Sequence, residues 1–375
     1  MCSDTKFLTL SDFSWQSYAI METHRYGMNR KKELKNMTKI PFLQVGYGLF
    51  GEGWTDLLLR SPHTELRGLV DTAKEARERF ERRFGDRNIP VFENLEEALE
   101  KLQVQAVLIA VPNQFHREVA EKALAANCHI LSEKPLADTF ENALAIYQAW
   151  RKRPGLVYMV SQNYRFKPEI QAFKKALKGG ICGQVGYGTY TFHKAWRFGG
   201  WREKMEYPLL EDMSIHHFDI LRFVLEKEVE RVTMEGFNPS WSWFQGNAAA
   251  TGHFLFEDGI RINYFGSWVS FGRTTSWNGD ICICGDRGTL SLENDLLFFT
   301  NREGKKEGLP FQKYETDGRT QVLQEFCSAV FENRAPLTSL ADNIRTFALS
   351  CASIESARRR TWVNIAEFVQ KLEER

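Results

Sequence analysis

The tightest constraint on this chain is a short glycine pattern set between an apolar run and a helical stretch. Residues 42–45 read as a strand, and the segment Val45-Gly46-Tyr47-Gly48-Leu49-Phe50-Gly51 leads from it into a helix reaching about residue 59. In a strand–turn–helix of this kind the first glycine permits the tight turn. The second lets the backbone approach a pyrophosphate, and the third lets helix and strand pack closely. The helix start also offers free N–H groups and a partial positive charge to an anion. Asp71 ends a second strand at residues 65–70, where its carboxylate can accept hydrogen bonds from a ribose diol. That charge opposes the extra phosphate of NADP, so NAD is the expected cofactor. Lys74 and Arg77 lie close enough to keep NADP open.

Strands and helices continue to alternate. The charged segment 73–84 follows, and Asn94 with Glu97 forms a capping-box pattern that starts a helix to residue 102. Residues 106–111 form an apolar run of the kind seen in strands buried on both faces. A helix at 116–126, a strand at 129–132, a helix start at Asp138 and Glu141, and a strand at 156–161 complete the half. This alternation predicts a parallel sheet with helices on both faces. After about residue 180, strands at 185–192, 229–234, 249–256, 260–267, 280–284 and 289–292 are joined mostly by short turns, Asp258-Gly259 being a strong hairpin signal. Helices return at 320–331 and 341–358. The expected fold is an α/β Rossmann domain followed by an α+β domain with a large, mainly antiparallel open sheet. The expected divisions are a poorly ordered extension at 1–39, a dinucleotide domain at 40–160 and a substrate and oligomerisation domain at 161–375. Trp241, Trp243, Trp268 and Trp277 suggest an aromatic open sheet face, and through it a homodimer or homotetramer.

The 375 residues exceed the size at which one core stops growing. The 49 basic and 48 acidic residues show no basic excess for nucleic acid. Seven cysteines without regular spacing suit a reducing compartment, so the cytoplasm is expected. Cys282 and Cys284 fall on one strand face and read as small core residues. No run is long enough for a membrane span. Asp4, Asp12 and Gln16 break any apolar leader.

Chemistry-bearing residues gather at strand ends. Glu133-Lys134-Pro135 follows a strand at the carboxyl edge of the sheet, where open α/β folds bind ligands. Val111-Pro112-Asn113 and His116 end the previous strand at that edge, and Asn163-Tyr164-Arg165-Phe166 lies downstream. In Asp212-Met213-Ser214-Ile215-His216-His217-Phe218-Asp219, helical spacing puts Asp212, His216 and Asp219 on one face. Singly, each has a plain explanation: a solvated lysine, a capping aspartate, a core histidine. Glu211, Asp212, Asp219 and two histidines show no recognised metal spacing, so no metal is expected.

Taken as an ordered set, these motifs resemble the Gfo/Idh/MocA family of sugar and polyol oxidoreductases, from about residue 40 to the C-terminus. The resemblance implies Lys134 as acid/base, with Asp212 and His216 completing a triad at the substrate carbinol, and a cis bond before Pro135. Taking hydride from an alcohol carbon requires the hydroxyl proton to leave in concert. Desolvation or a nearby imidazolium would bring an amine's pKa toward neutrality. The implied cofactor set is Gly46, Tyr47, Gly48, Leu49, Phe50, Gly51, Asp71, Val111, Pro112, Asn113, His116, Glu133 and Lys134. The implied substrate set is Asn163, Arg165, Trp196, Trp201, Arg202 and Asp219, with Trp faces suited to sugar C–H faces. Ser214 stands where many members have glycine. Two other readings stay open: a non-catalytic dinucleotide-binding regulator, and an enzyme of a non-carbohydrate carbonyl or dihydrodiol.

Overall fold

The central strand of the first sheet is apolar on both sides, and helices cover both. A computed structural model describes residues 39–313 and 318–373, so the extension expected at 1–39 lies outside the described residues except for Lys39. Six parallel strands, β1 (Ile40–Val45), β2 (Thr64–Val70), β3 (Val91–Phe92), β4 (Ala106–Ile109), β5 (His129–Ser132) and β6 (Tyr158–Val160), lie in the order 3-2-1-4-5-6. This is the strand order of a doubly wound dinucleotide fold, with its reversal between β1 and β4. The connecting helices are α1 (Leu49–Arg60), α2 (Lys74–Phe84), α3 (Leu95–Lys101), α4 (His116–Ala125) and α5 (Phe140–Arg151). Asn94 accepts the Glu97 N–H and caps α3, as the capping pattern predicts. At α5 the cap is Thr139, which accepts from Asn142, while Asp138 braces the turn.

The second half begins with α6 (Pro168–Lys178), which opens on a proline and buries Ile170 and Phe173, and α7 (Ser214–Leu225). Its nine-stranded sheet holds β7 (Val185–His193), β8 (Val229–Phe237), β9 (Ala249–Phe256), β10 (Arg261–Ser267), β11 (Asp280–Gly285), β12 (Gly288–Glu293), β13 (Leu296–Asn301), β14 (Lys306–Gly308) and β15 (Val363–Asn364). Neighbours are antiparallel except β7 and β10. The hairpin between β9 and β10 turns where expected, with φ of 59° at Asp258 and 74° at Gly259.

Two of the expectations for this sheet fail. The open face draws its aromatic rings from other residues: Tyr187 is exposed there and Phe265 and Phe298 pair with Thr191 and Ser291, while Thr189, Thr191, Cys282, Thr289 and Ser291 line a shallow depression. Trp268, just past the end of β10, is instead in the core, 1% exposed, packed edge-on against Phe192 and Phe198, and Trp277 leans on it. Trp268 is therefore withdrawn from the open face. Cys282 and Cys284 do share a face, but the open one, with sulfurs 4.0 Å apart. Among the described residues no helix is long and apolar enough to cross a membrane.

The last helices tie the sheets together. α8 (Gly318–Phe331) returns to the first sheet, where Val322, Phe326 and Cys327 pack with Phe42, Trp54 and Leu108. α9 (Leu340–Arg359) spans both cores. Leu340, Ile344 and Phe347 join the opposite face of the first sheet, while Leu349 and Ala352 join the core of the second. α10 (Ala366–Glu373) packs Phe368 on Phe140 of α5.

Between these cores lies a buried ionic cluster. Arg165 reaches Asp219 of α7 with two bonds of 2.6 Å, and Asp219 also accepts the Thr346 hydroxyl at 2.8 Å. Asp342 pairs with both Arg165 and Arg222. Arg165 and Asp219, expected at the substrate, are 4% and 1% exposed in their side chains and satisfy one another. They lock α7 to the end of β6 and do not face the cleft. Removing one partner of such a pair leaves a buried charge uncompensated. Asp219→Ala should therefore cost about 3–5 kcal/mol in chemical denaturation; a loss below 1 kcal/mol would show the pair to be dispensable.

His217 is equally enclosed, packed between Tyr190 and Phe192 with its Nδ1 against the Tyr264 hydroxyl at 2.9 Å. Burial, and then the Lys167 charge, depress its pKa to about 3. The unfolded chain, with a histidine near 6.5, binds that proton first, so the stabilisation is complete above pH 6.5 and is lost as pH falls toward 3. Each unit should cost about 1.4 kcal/mol. Melting at pH 7 and pH 5 should show the wild type falling more steeply than His217→Phe; parallel slopes would contradict this.

Candidate active site

The turn after β1 is built as its glycines require. Gly46 has φ +99°, and a side chain there would strike the Ala110 carbonyl. A side chain on Gly51 would strike the carbonyl of Gly46. Above Gly48, by contrast, nothing among the described residues lies within 4 Å of where a Cβ would stand. Gly48 is also the N-cap of α1 and supplies no side-chain cap. An open cradle at an uncapped helix start fits a pyrophosphate. Gln44, which sequence reasoning missed, holds the turn by donating to Gly46 O and Gly51 O at 2.9 Å each.

Asp71 stands at the rim of this cradle. Its Oδ2 accepts the Tyr47 N–H at 2.7 Å and its Oδ1 the Ala73 N–H at 2.8 Å, which fixes the carboxylate while leaving lone pairs for a diol. Arg77 donates to the carbonyls of Asp71 and Thr72 and to Glu93, so its guanidinium is committed to the loop. Leu49 and Phe50 are exposed on the turn. The Tyr47 ring is buried against Phe80, so of this residue only the backbone faces the cradle.

The ends of β4 and β5 supply the next groups. Val111, Pro112 and Asn113 form the rim after β4. His116 lies beneath them, buried, with Nε2 3.0 Å from Val111 O and Nδ1 3.3 Å from Leu136 O. It braces two loops and does not line the cleft; burial holds its pKa below the usual value. Glu133 accepts the Trp54 indole N–H at 2.6 Å and the Lys134 amide at 3.1 Å. Burial pushes its carboxyl up, against the pull of Trp54, Lys134 and Arg319. Arg319, from the start of α8, lies over Gly53 of α1. No local signal tied that helix to the glycine turn.

Lys134 enters the cleft from a cis bond to Pro135. Its Nζ donates to Asp212 Oδ1 at 3.0 Å and to the Asp212 carbonyl at 2.9 Å, across 78 residues of sequence. Asp212 sits in a single π turn, Leu209–Met213, directly before α7. Its second oxygen accepts from Arg202 Nε at 3.0 Å. Burial pushes the Asp212 carboxyl up, but Lys134 and Arg202 outweigh it and leave the pKa below the usual carboxylate value. Arg202 also lies 4.6 Å over the exposed Trp201 ring. Trp196 is exposed nearby in the chain and meets Trp277 edge-on. Asn163 is half-buried, its backbone facing Gly318.

One turn past Asp212, His216 stacks on Tyr164 with centroids 4.2 Å apart and planes at 14°. Burial, then the Lys134 charge, then His217 and Lys167 hold its pKa well below the usual value. That direction favours the neutral ring, so of the two influences considered for Lys134 the nearby imidazolium is the disfavoured one. Ser214 turns inward: its hydroxyl donates to Leu209 O and meets the Tyr264 hydroxyl. Asp212 and Asp219 do not act together, because the first faces Lys134 and the second faces Arg165.

The chain matches two family models in the order of its two sheets. Residues 40–161 match the one described as "Oxidoreductase family, NAD-binding Rossmann fold", and residues 170–291 match the "GFO/IDH/MocA C-terminal domain". It is 26% identical to a D-apiose dehydrogenase of Paraburkholderia graminis, over 86% of this chain and 88% of that protein. It is 29% identical to the levoglucosan dehydrogenase of Pseudarthrobacter phenanthrenivorans, over 76% of this chain and 86% of that protein. An oxidoreductase from Agrobacterium radiobacter, solved with NAD+, L-tartaric acid and magnesium, shares the fold with a TM-score of 0.80 at 22% identity, covering 88% of this chain and 99% of that one. With an open glycine cradle, a carboxylate fixed at its rim and both domain models matched in order, the chain belongs to the Gfo/Idh/MocA family of oxidoreductases and carries its NAD-binding Rossmann fold.

Proposed function

We propose that the protein is an NAD-dependent dehydrogenase or reductase of a sugar, cyclitol or related polyol, with Lys134 as its acid/base residue. The observation that carries this reading is the bond of Lys134 Nζ to Asp212, which brings a strand-end amine to the helix that holds His216. The D-apiose and levoglucosan dehydrogenases among its relatives support a carbohydrate substrate.

The dinucleotide would lie across Gly46, Gly48 and Gly51, its ribose on Asp71, with the strand ends at Val111–Asn113 and Glu133 beneath it. When bound, its nicotinamide supplies the acceptor or donor of a hydride. This chain's residues handle the proton. Lys134 Nζ, once it has released its own proton to solvent and stands as the neutral amine, takes the proton from the carbinol hydroxyl during oxidation; as the ammonium it returns a proton during reduction. Asp212 holds Nζ in place and is itself held by Arg202. The neutral His216 ring hydrogen-bonds the same hydroxyl and shares the proton's path. Glu133 fixes the first turn of the loop through the Lys134 amide. Trp196 and Trp201 offer faces to sugar C–H groups, while Asn163 and Arg202 offer donors to hydroxyls.

Incubation with NAD and a panel of cyclic polyols and aldoses, followed by absorbance of the reduced cofactor, tests the reading. At least one should be oxidised. Cofactor binding with no turnover in either direction would favour a dinucleotide-dependent regulator. Lys134→Ala should lower kcat about 10²–10⁴-fold, the usual worth of general acid–base catalysis, with NADH affinity nearly unchanged; a near-normal rate would refute the assignment. Asp71→Ala should weaken NAD about tenfold or more, since hydrogen bonds to a charged group are lost, and should relax discrimination against NADP. An unchanged preference would remove Asp71 from the ribose site.

A further inference from the structure

His216 lacks the support that usually orients a working imidazole. One ring nitrogen of such a histidine is ordinarily fixed by a hydrogen bond to a carbonyl or carboxylate. Here Nδ1 is buried with no hydrogen-bond partner among the described residues. The last torsion of a histidine side chain is broad and only weakly restrained by the chain itself. Some other contact must therefore set the ring plane.

That contact is Tyr164, which lies almost parallel to the imidazole at a centroid distance of 4.2 Å. The tyrosine ring is itself pinned. Lys167 places its ammonium 3.5 Å from the ring centroid, and Lys167 Nζ donates to Asn278 Oδ1 at 2.9 Å. Asn278 cannot shift easily: its side-chain nitrogen donates to Glu169 and to Asp295, each at 2.6 Å, and its carbonyl accepts the Tyr190 hydroxyl. The anchoring chain thus runs from the loop before β11, through α6 and the turn before β13, to the imidazole face. Burial, then the charges of Lys134, His217 and Lys167, hold the His216 pKa well below its usual value.

We propose that Tyr164, pinned by Lys167 and Asn278, is the positioning residue that sets the plane of the His216 imidazole at the reacting centre. The inference rests on the catalytic reading of His216 given above. It assigns to the aromatic ring, and not to the tyrosine hydroxyl, the orienting task that a hydrogen bond performs elsewhere.

The test compares Tyr164→Phe, Tyr164→Leu and His216→Ala in the full chain. The readouts are steady-state kinetics on the substrate found by the panel, NADH affinity by fluorescence, and histidine ring resonances by NMR. Tyr164→Phe should keep kcat within about threefold, since the stack is retained. Tyr164→Leu should lose about 10²-fold in kcat, the scale of a misplaced reacting group, with NADH affinity unchanged. The His216 ring protons should be shifted upfield in the parent and in Tyr164→Phe, and should move downfield in Tyr164→Leu. A folded Tyr164→Leu enzyme with normal kcat would overturn the proposal, as would a Phe variant as slow as the Leu variant. Absence of the upfield shift in the parent would overturn it even if Tyr164→Leu failed to fold. The two readings separate through His216→Ala. If that variant keeps full rate, the catalytic reading has failed; if it is slow while Tyr164→Leu is fast, only the positioning role has.

Discussion

A single ammonium group joins the two halves of this molecule at the point where chemistry is proposed. Lys134 leaves the end of β5 in the parallel sheet and meets both the side chain and the carbonyl of Asp212, which belongs to the second half. Two charges partly removed from water hold each other only where their geometry is kept close, because desolvation opposes the attraction. Arg202 supplies the second cation that keeps Asp212 ionised and in place. The π turn that carries Asp212 is one of the irregular turns that recur in helices at working sites. It aims the carboxylate at Lys134 while the regular helix behind it stays in the core.

Holding that meeting point requires a rigid frame. α9 supplies one by giving its first half to the core of the parallel sheet and its second half to the core of the open sheet. The Arg165–Asp219–Asp342–Arg222 cluster locks α7 to the end of β6 from the side away from the cleft. α8 closes against β1 and α1, bringing Arg319 beside the helix that begins at the glycine turn. Helices late in the chain thus stabilise the dinucleotide fold.

Local signals made much of this legible. The glycine turn, the Asn94 cap, the double-sided apolar strands and the Asp258-Gly259 hairpin each need only neighbouring residues to act. What needed the tertiary fold was misread or missed. Asp219 and Asp212 share helical spacing, but spacing says nothing about which face of a helix meets the cleft. The π turn then separates their directions. Arg165 looked like a ligand for substrate because a sequence does not reveal a carboxylate waiting 54 positions away. β13 and β14 escaped because strands with half-exposed or exposed faces lack a strong alternation. The stack of Tyr164 on His216 has no sequence signature at all, since it joins a turn after one sheet to a helix beneath the other.

The account stands on Lys134 being the group that exchanges a proton with the substrate carbinol. A crystal structure of the protein with NADH and an unreacted polyol measures this directly. The reacting hydroxyl should lie about 2.6–3.2 Å from Lys134 Nζ, within reach of His216, with its carbon facing the nicotinamide bound above the glycine turn. A carbinol held away from Lys134, with the lysine still closed on Asp212, would contradict the account.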